Sequence, residues 1–361
     1  MKRIIVSVTN DLVTDQRVHK TCSILTEIGF EVLLVGRKLK NSIPIDRNYE
    51  TKRFQLFFNK GALFYAEFNI RLFLFLLFNK KCTLFSNDLD TLLPNFLVSR
   101  LQQKKLIFDS HELFSEIPEL VARKRIKKIW LIIEKKIIPK LQYIITVSDS
   151  IKKYYQNLYG VSAIVVRNIP ETKKIHRTKF NFDVKEKKVI LYQGSINIGR
   201  GIELMIQTMP LLDEYIFVII GDGDILDVLK KKVISLSLEK KVKFLGQKTP
   251  QELKKLTPNA SIGMSLEDDL GLNYRYSLPN KIFDYIHAKV PILVSDLPEM
   301  SSIVDKYSVG EVLRERTPEA LAQVIVNMSN KNYEKELKAA VKELNWSREK
   351  ERLISIFSSL D

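Results

Sequence analysis

Arg3-Ile4-Ile5-Val6-Ser7-Val8 is an unbroken apolar, β-branched run, and it reads as a strand buried on both faces. From Asp15 to Ile28 the period changes to that of a helix, with Val18, Cys22, Leu25 and Ile28 on one stripe, and Gly29 stops it. A second strand follows at Glu31–Val35. Outward from this unit the same alternation continues through strands at Thr83–Ser86, Lys105–Phe108, Tyr143–Val147 and Ala163–Val166, each separated by a helix-sized segment. Strand–helix–strand repetition of this kind predicts right-handed crossovers and a parallel sheet, the α/β class.

The pattern restarts after Arg167-Asn168-Ile169-Pro170. A Lys-rich polar stretch, Glu171 to Lys188, reads as a linker. Strands are then expected at Val189–Gln193, Tyr215–Ile220, Lys243–Leu245, Ser261–Ser265 and Pro291–Ser295. The expected organisation is two doubly wound, Rossmann-like domains, residues 1–168 and 169–344. A C-terminal helix over 345–361 then carries Leu353, Ile356 and Phe357 on its apolar side and packs back on the first domain. Ligands of such sheets sit outside the carboxyl ends of the strands, and the default site is a cleft that the two domains face.

The length, 361 residues, agrees with two cores rather than one. A composition 45% hydrophobic and 28% charged excludes disordered and collagen-like chains, and Cys22 and Cys82 are too few for a disulfide framework. No secretory signal is legible: Asn10-Asp11 ends the first apolar run too early. The longest apolar stretch, Ala62 to Phe78, is interrupted by Glu67 and Arg71 and falls short of the roughly 20 residues that span a bilayer. Arg71 to Phe78 therefore reads as a packed core helix, or else as an element that assists a membrane contact, in a soluble, cytoplasmic protein. The net charge of +16 is uneven: residues up to Val165 hold 27 basic and 15 acidic side chains, the rest 31 and 27. The excess in the first half fits a nucleic acid, an anionic membrane or an anionic substrate, or merely solvated lysine.

Where the chemistry lies follows from the strand ends. No dinucleotide fingerprint follows the first strand, and Gly221-Asp222-Gly223-Asp224 lacks the third glycine; no P-loop exists either. Gly194-Ser195-Ile196-Asn197-Ile198-Gly199-Arg200-Gly201 instead leaves a strand and enters a helix near Ile202, where backbone N–H groups and Arg200 make an anion site. Ser277-Leu278-Pro279-Asn280-Lys281 opens another helix. Lys281 opposes the dipole of that first turn, which points either to a bound anion or to a solvated side chain. Asp284, one turn later, is placed to hold a ribose diol or to be a solvated acid. In the first half, Asp109-Ser110-His111-Glu112 ends a strand in ionisable groups. Asp88-Leu89-Asp90 ends another and reads as helix-capping acids rather than a metal motif.

In their order and spacing these pieces resemble the GT-B fold retaining glycosyltransferases of family 4 (group 1), which serve bacterial surface-polysaccharide synthesis. The resemblance rests on Thr14-Asp15-Gln16-Arg17-Val18, Asn87-Asp88 with Asp90, Asp109-Ser110-His111-Glu112-Leu113-Phe114, Thr146-Val147-Ser148, Tyr192-Gln193-Gly194, Gly199-Arg200-Gly201, and Leu278 to Tyr285 with Pro291. It covers nearly the whole chain. It implies a nucleotide-diphosphate-sugar donor on the second domain, held by Gly194, Ser195, Arg200, Asn280, Lys281 and Asp284. A saccharide or lipid-linked acceptor would lie on the first, at Asn10, Asp15, Arg17, Asp109 and Glu112. His111 matches the residue facing the donor sugar and, with Arg200 and Lys281, is the implied catalytic set. The family's diphosphate clamp is altered, with Ser195 where an Arg usually stands, and its acid pair survives as Asp284 alone, the first member falling on Ser277.

The resemblance implies hexosyl transfer with retention, the leaving phosphate helping to deprotonate the acceptor. No metal or cofactor is implied, fixed cations meeting the developing phosphate charge. The basic and aliphatic run Arg123 to Lys140 has the composition of a helix resting on an anionic bilayer, so the expected place is the inner face of the cytoplasmic membrane. A sugar-nucleotide epimerase shares the fold but needs acid/base carboxylates around the sugar. A nucleic-acid-binding protein would need a basic aromatic platform that this sequence does not show.

Overall fold

The computed structural model describes residues 2–13, 15–79, 82–117, 120, 123–171 and 177–358. Thr14, residues 172–176 of the expected linker and Leu360 at the expected end of the last helix lie outside the described residues. Contacts divide the chain into two units. One comprises the residues through Asn168 with the segment from Glu349 onward; the other is Ile169–Arg348.

The first unit is built on a parallel sheet of β1 (Lys2–Asp11), β2 (Phe30–Lys38), β3 (Glu50–Gln55), β4 (Cys82–Asn87), β5 (Leu106–Ser110), β6 (Tyr143–Thr146) and β7 (Ile164–Val165). Their order is β3-β2-β1-β4-β5-β6-β7. Central β1 pairs with β2 and β4, and its Ile4, Ile5 and Val6 are fully buried, as helices on both faces of a parallel sheet require. The crossover helix Gln16–Glu27 is capped by Asp15, which accepts the Val18 N–H, and Gly29 ends it with a positive φ of 91°. From the C-terminal helix Trp346–Ser358, Phe357 stacks on Phe85 and Glu349 accepts the Arg167 N–H. Cys22 and Cys82 are buried free thiols.

The second unit carries β8 (Lys188–Gln193), β9 (Tyr215–Ile220), β10 (Val242–Phe244), β11 (Ile262–Ser265), β12 (Ile292–Ser295) and β13 (Gly310–Leu313), ordered β10-β9-β8-β11-β12-β13 and all parallel. One face of this sheet buries Leu191, Val218 and Ile220 beneath the helix Asn280–His287. The other buries Ile190, Tyr192, Phe217 and Ile219 beneath Ile202–Thr208 and its neighbours. Both sheets reverse strand order once, between β1 and β4 and between β8 and β11, and loops splay apart at such points.

Three expectations change. β3 and β13 were not anticipated: both are edge strands, and Glu-Thr-Lys-Arg-Phe-Gln carries charge where a central strand would carry aliphatics. The segment Arg71–Phe78 is packed on one face only. It is the second half of a helix at Gly61–Leu77 that buries Phe64, Phe68, Leu72 and Leu76 and leaves its opposite, equally apolar side exposed. No helix among the described residues is long and apolar enough to cross a membrane.

Candidate active site

In the first unit, the carboxyl ends of β1, β4 and β5 gather one charged network. Arg17, in the first turn after β1, donates Nε and a terminal nitrogen to the two oxygens of Asp109 at 3.0 and 2.7 Å, and its other terminal nitrogen to the Val166 carbonyl at 2.7 Å. Arg17 and Asp109 are 7% and 1% exposed, so this bidentate pair is sealed from water. Burial alone pushes the Asp109 carboxyl up, but Arg17 and His111 outweigh it and hold it well below the usual carboxylate range. His111 Nε2 lies 3.2 Å from Asp109 and Nδ1 lies 3.2 Å from Asp88, whose other oxygen accepts the His111 backbone N–H at 2.8 Å. A neutral imidazole has one proton to donate, and two carboxylates, one on each nitrogen, call for two. The imidazolium is the resident form: burial works against it, but Asp88 and Asp109 together raise the His111 pKa well above its ordinary value.

Asp88 is not the helix cap that its position predicts. The helix Leu89–Leu101 begins after it, yet no side-chain capping bond forms, and its backbone stands at φ 55°, ψ 170°. A non-glycine residue held in that region costs of order 1–3 kcal/mol, a cost that the surroundings must offset. The strain turns the carboxylate toward His111 instead of the helix start. Asp90, almost fully buried, accepts from Thr9 Oγ1 at 2.5 Å and has its pKa pushed up to about 7, first by burial and then by Asp88. Asn10 and Asp15 meet each other at 3.1 Å, so Asp15 spends one oxygen on Asn10 and the other on the helix cap. Glu112 is half-buried next to His111.

In the second unit a different arrangement occupies the same kind of edge. Glu267, two residues beyond β11, is fully buried, with Lys281 Nζ 3.0 Å from one oxygen, Arg200 at 3.6 Å from the same oxygen, and Ser265 Oγ donating to the other at 2.7 Å. Burial would raise this carboxyl, but Lys281 and Arg200 lower it overall. Lys281 is thus neither solvated nor waiting bare for an anion, and the acid that fixes it was not anticipated. Three acids in a row, Glu267-Asp268-Asp269, give no pattern that marks the buried one; the signal available was its place just past a strand's carboxyl end. Ser295 donates to the Glu267 carbonyl at 2.7 Å, and Arg316 bonds Ser295, the Leu266 carbonyl and Asp268, which braces the loop. The cations also rest on aromatic faces, Lys281 over Tyr192 at 4.1 Å and Arg200 over Tyr274 at 4.8 Å.

Gly194 and Ser195 are exposed at the end of β8, beside Lys281: a Cβ on Gly194 would stand 3.7 Å from Lys281 Nζ. Gly194 (φ 134°) is crossed by Gly221 (φ 153°), whose added Cβ would come within 1.8 Å of the Gly194 carbonyl oxygen. Only glycine fits there. Asp284 accepts from Gln193 Nε2 at 3.1 Å, and Gln193 is itself held by Thr257 at 2.8 Å. Asn280 is exposed at the first position of its helix, with Pro279 just outside as the N-cap residue. Counting seven intervening residues back from Asp284 reaches Tyr276, not Ser277, and neither is an acid. The Arg200 Nε has no hydrogen-bond acceptor among the described residues. Two cations share the one buried carboxylate, which offsets only one of them, and such a fixed pair is suited to an anion.

Comparison with known proteins agrees with these two halves. Residues 16–171 match the model described as Glycosyltransferase Family 4 and residues 173–344 the model described as Glycosyl transferases group 1. An uncharacterized glycosyltransferase of Methanocaldococcus jannaschii is 25% identical over 197 residues, 50% of this chain and 48% of that protein; the match spans about half the relative's length. Among solved structures, sucrose-phosphate synthase from Thermosynechococcus elongatus superposes with a TM-score of 0.82 at 15% identity over 100% of this chain and 99% of that one. Anabaena Alr3699/HepE, in complex with UDP-glucose, gives 0.75 at 12% identity over 99% and 100%. With both halves matched in order and two parallel sheets of the same type, the chain belongs to the GT-B glycosyltransferases of the group 1/family 4 kind.

Proposed function

We propose that the protein transfers a hexose, with retention, from a nucleotide-diphosphate sugar to a saccharide or lipid-linked saccharide acceptor during cell-surface polysaccharide synthesis. The observation that carries this reading is the Glu267-anchored pair of Lys281 and Arg200 beside the exposed Gly194 turn. A diphosphate placed against that turn meets Lys281, the guanidinium of Arg200 and the N–H groups around Ser195. Donors fixed before the ligand arrives stabilise the charge that grows as the sugar departs, and cost no reorganisation at that moment. These fixed cations support a reaction that needs no metal. Asp284, steadied by Gln193, is assigned to the ribose, and Asn280 to the donor's phosphate side.

The first unit is assigned the acceptor through Asn10, Asp15, Arg17, Asp109 and Glu112, with His111 toward the donor sugar. The burial of Arg17 and Asp109 favours an indirect part for both, as the brace of His111. An imidazolium with a carboxylate on each nitrogen has no lone pair to offer, so His111 contributes fixed geometry and balanced charge rather than general-base catalysis. The base is then the leaving phosphate itself. The outward basic side chains of Arg123–Lys140 support a peripheral contact with the inner leaflet, close to a lipid-linked acceptor.

The test is a panel of UDP-, GDP- and ADP-sugars. A fitting donor at about 100 times its Kd stabilises the folded chain by about 2.7 kcal/mol, and transfer is then assayed with the matching sugar and the anomer assigned by NMR. A protein whose melting temperature ignores every nucleotide sugar at saturating concentration overturns the proposal. An inverted product overturns the retention while sparing the donor site.

A further inference from the structure

The helix Gly61–Leu77 has one acid, Glu67, and one base, Arg71; Glu67 falls on the outward stripe of Leu63, Ile70 and Leu74, but its side chain is only 13% exposed because it is spent on the chain ahead of the helix. That face consists of Ala62, Leu63, Ala66, Ile70 and Leu74, all exposed, and it runs on into Phe78, which is 81% exposed. At the other end Phe57, 85% exposed, and Phe58 project ahead of the helix. They are held there deliberately: the Glu67 carboxylate accepts the Phe57 N–H at 3.0 Å and the Phe58 N–H at 2.9 Å and pairs with Arg71 at 2.8 Å, while the Arg71 guanidinium lies over the Phe57 ring at 5.3 Å. The helix's only charges are spent on presenting two aromatic rings to the outside. Exposing an apolar strip of this extent is costly for a surface that faces only water.

The strip does not stand alone. Tyr65 packs edge-on against Trp130 at 5.3 Å, which joins this helix to Lys124–Ile137. The latter buries Trp130, Glu134 and Ile137 and turns Arg125, Ile129, Ile132 and Lys136 outward on one line. On the helix Leu89–Leu101, Leu97 and Leu101 are exposed as well. Lys60 stands exposed between Phe58 and the helix, and Lys80 and Lys81 follow Phe78 in the sequence. An apolar strip with Lys60 exposed at one end and a basic, aliphatic helix beside it has the chemistry of an interfacial element.

We propose that Phe57, Phe58 and the outward face of Gly61–Leu77 form the hydrophobic part of a docking surface for an anionic bilayer, with helix Lys124–Ile137 as its electrostatic part. A second copy is the poorer occupant, since the 27 basic and 15 acidic residues up to Val165 would bring two positive surfaces together. At about 1.5 Å per residue the helix is roughly 26 Å long and lies along the surface rather than through it. This deepens the peripheral contact proposed above by adding insertion to attraction, and it stands independently of donor binding.

The experiment is co-sedimentation of the full chain with phosphatidylcholine vesicles, with and without about one-third phosphatidylglycerol, at about 0.1 and about 0.5 M NaCl, where screening lengths differ more than twofold. The intact protein is expected to bind the anionic vesicles and to keep part of that binding at high salt. Ile70→Ser with Leu74→Ser, and separately Phe57→Ser with Phe58→Ser, should each weaken binding about tenfold or more, with melting temperature and UDP binding unchanged. Arg125→Gln with Lys136→Gln should lose binding mainly at low salt. Undiminished binding of both serine variants overturns the proposal, as does binding that high salt abolishes completely. A dimer in light scattering that the same serine substitutions dissolve makes a second copy the occupant and overturns it too. Loss of vesicle binding with intact UDP binding, or the reverse, separates this inference from the donor assignment.

Discussion

Both units collect charge where parallel strands end, but they balance it differently. Around His111 two cations face two carboxylates, every strong donor of Arg17 is paired, and the pair at its centre is sealed. Around Lys281 two cations share one buried carboxylate, and the buried Arg200 Nε has no acceptor among the described residues. A closed network holds a side chain in place, and an open one is left with attraction for something else. Charged clusters at strand ends are not alike, and the contrast between them is what the proposed division into brace and binding site rests on.

Substitutions can break or sharpen that contrast. The largest effect is expected in the closed network: Arg17→Met strands the buried Asp109 carboxylate and should cost about 3–5 kcal/mol of stability, read by chemical denaturation. In the open network, Lys281→Met combined with Glu267→Gln removes both buried partners together. It should leave the melting temperature within a few degrees yet weaken UDP binding by about 2 kcal/mol or more in calorimetry. A double variant that binds UDP normally removes the distinction between the two edges. Asp88→Asn should lower the His111 pKa, followed by NMR titration of the imidazole, and should reduce turnover about tenfold with the donor KM unchanged.

The smallest effect concerns Asp90. Its folded pKa near 7 exceeds that of an unfolded aspartate, so the native state holds the extra proton between about pH 4 and pH 7. Stability contributed by this group is full below about pH 4 and falls as pH rises through 7. Asp90→Asn should flatten that part of the melting-temperature profile, and an unchanged slope would show that another group titrates there.

How much of this was legible depended on how many neighbours each residue serves. Central strands such as Arg3–Val8 and Tyr215–Ile220 are buried on both faces, so composition alone reveals them. β3 pairs on one side only and tolerates Lys52 and Arg53. Arg200, Lys281 and His111 stand out in the sequence because they sit at glycine turns and strand ends, where parallel sheets form their sites. Glu267 was missed because its partners lie 14 and 67 positions away and no local pattern records them. The turned backbone of Asp88 is equally silent, since nothing in Asn-Asp-Leu-Asp requires a positive φ. The exposed side of Gly61–Leu77 is hard to read because apolar residues fill both sides of the helix and its few polar ones do not mark which way is out.

The crossing of Gly194 and Gly221 has a consequence for anyone who would re-engineer this enzyme. With a carbonyl oxygen already where a methyl group would go, saturation mutagenesis at position 221 should return only the parent residue among active clones. Libraries that probe the proposed donor assignment are better spent on Ser195 and Asn280, whose side chains reach solvent and whose replacement leaves that contact undisturbed.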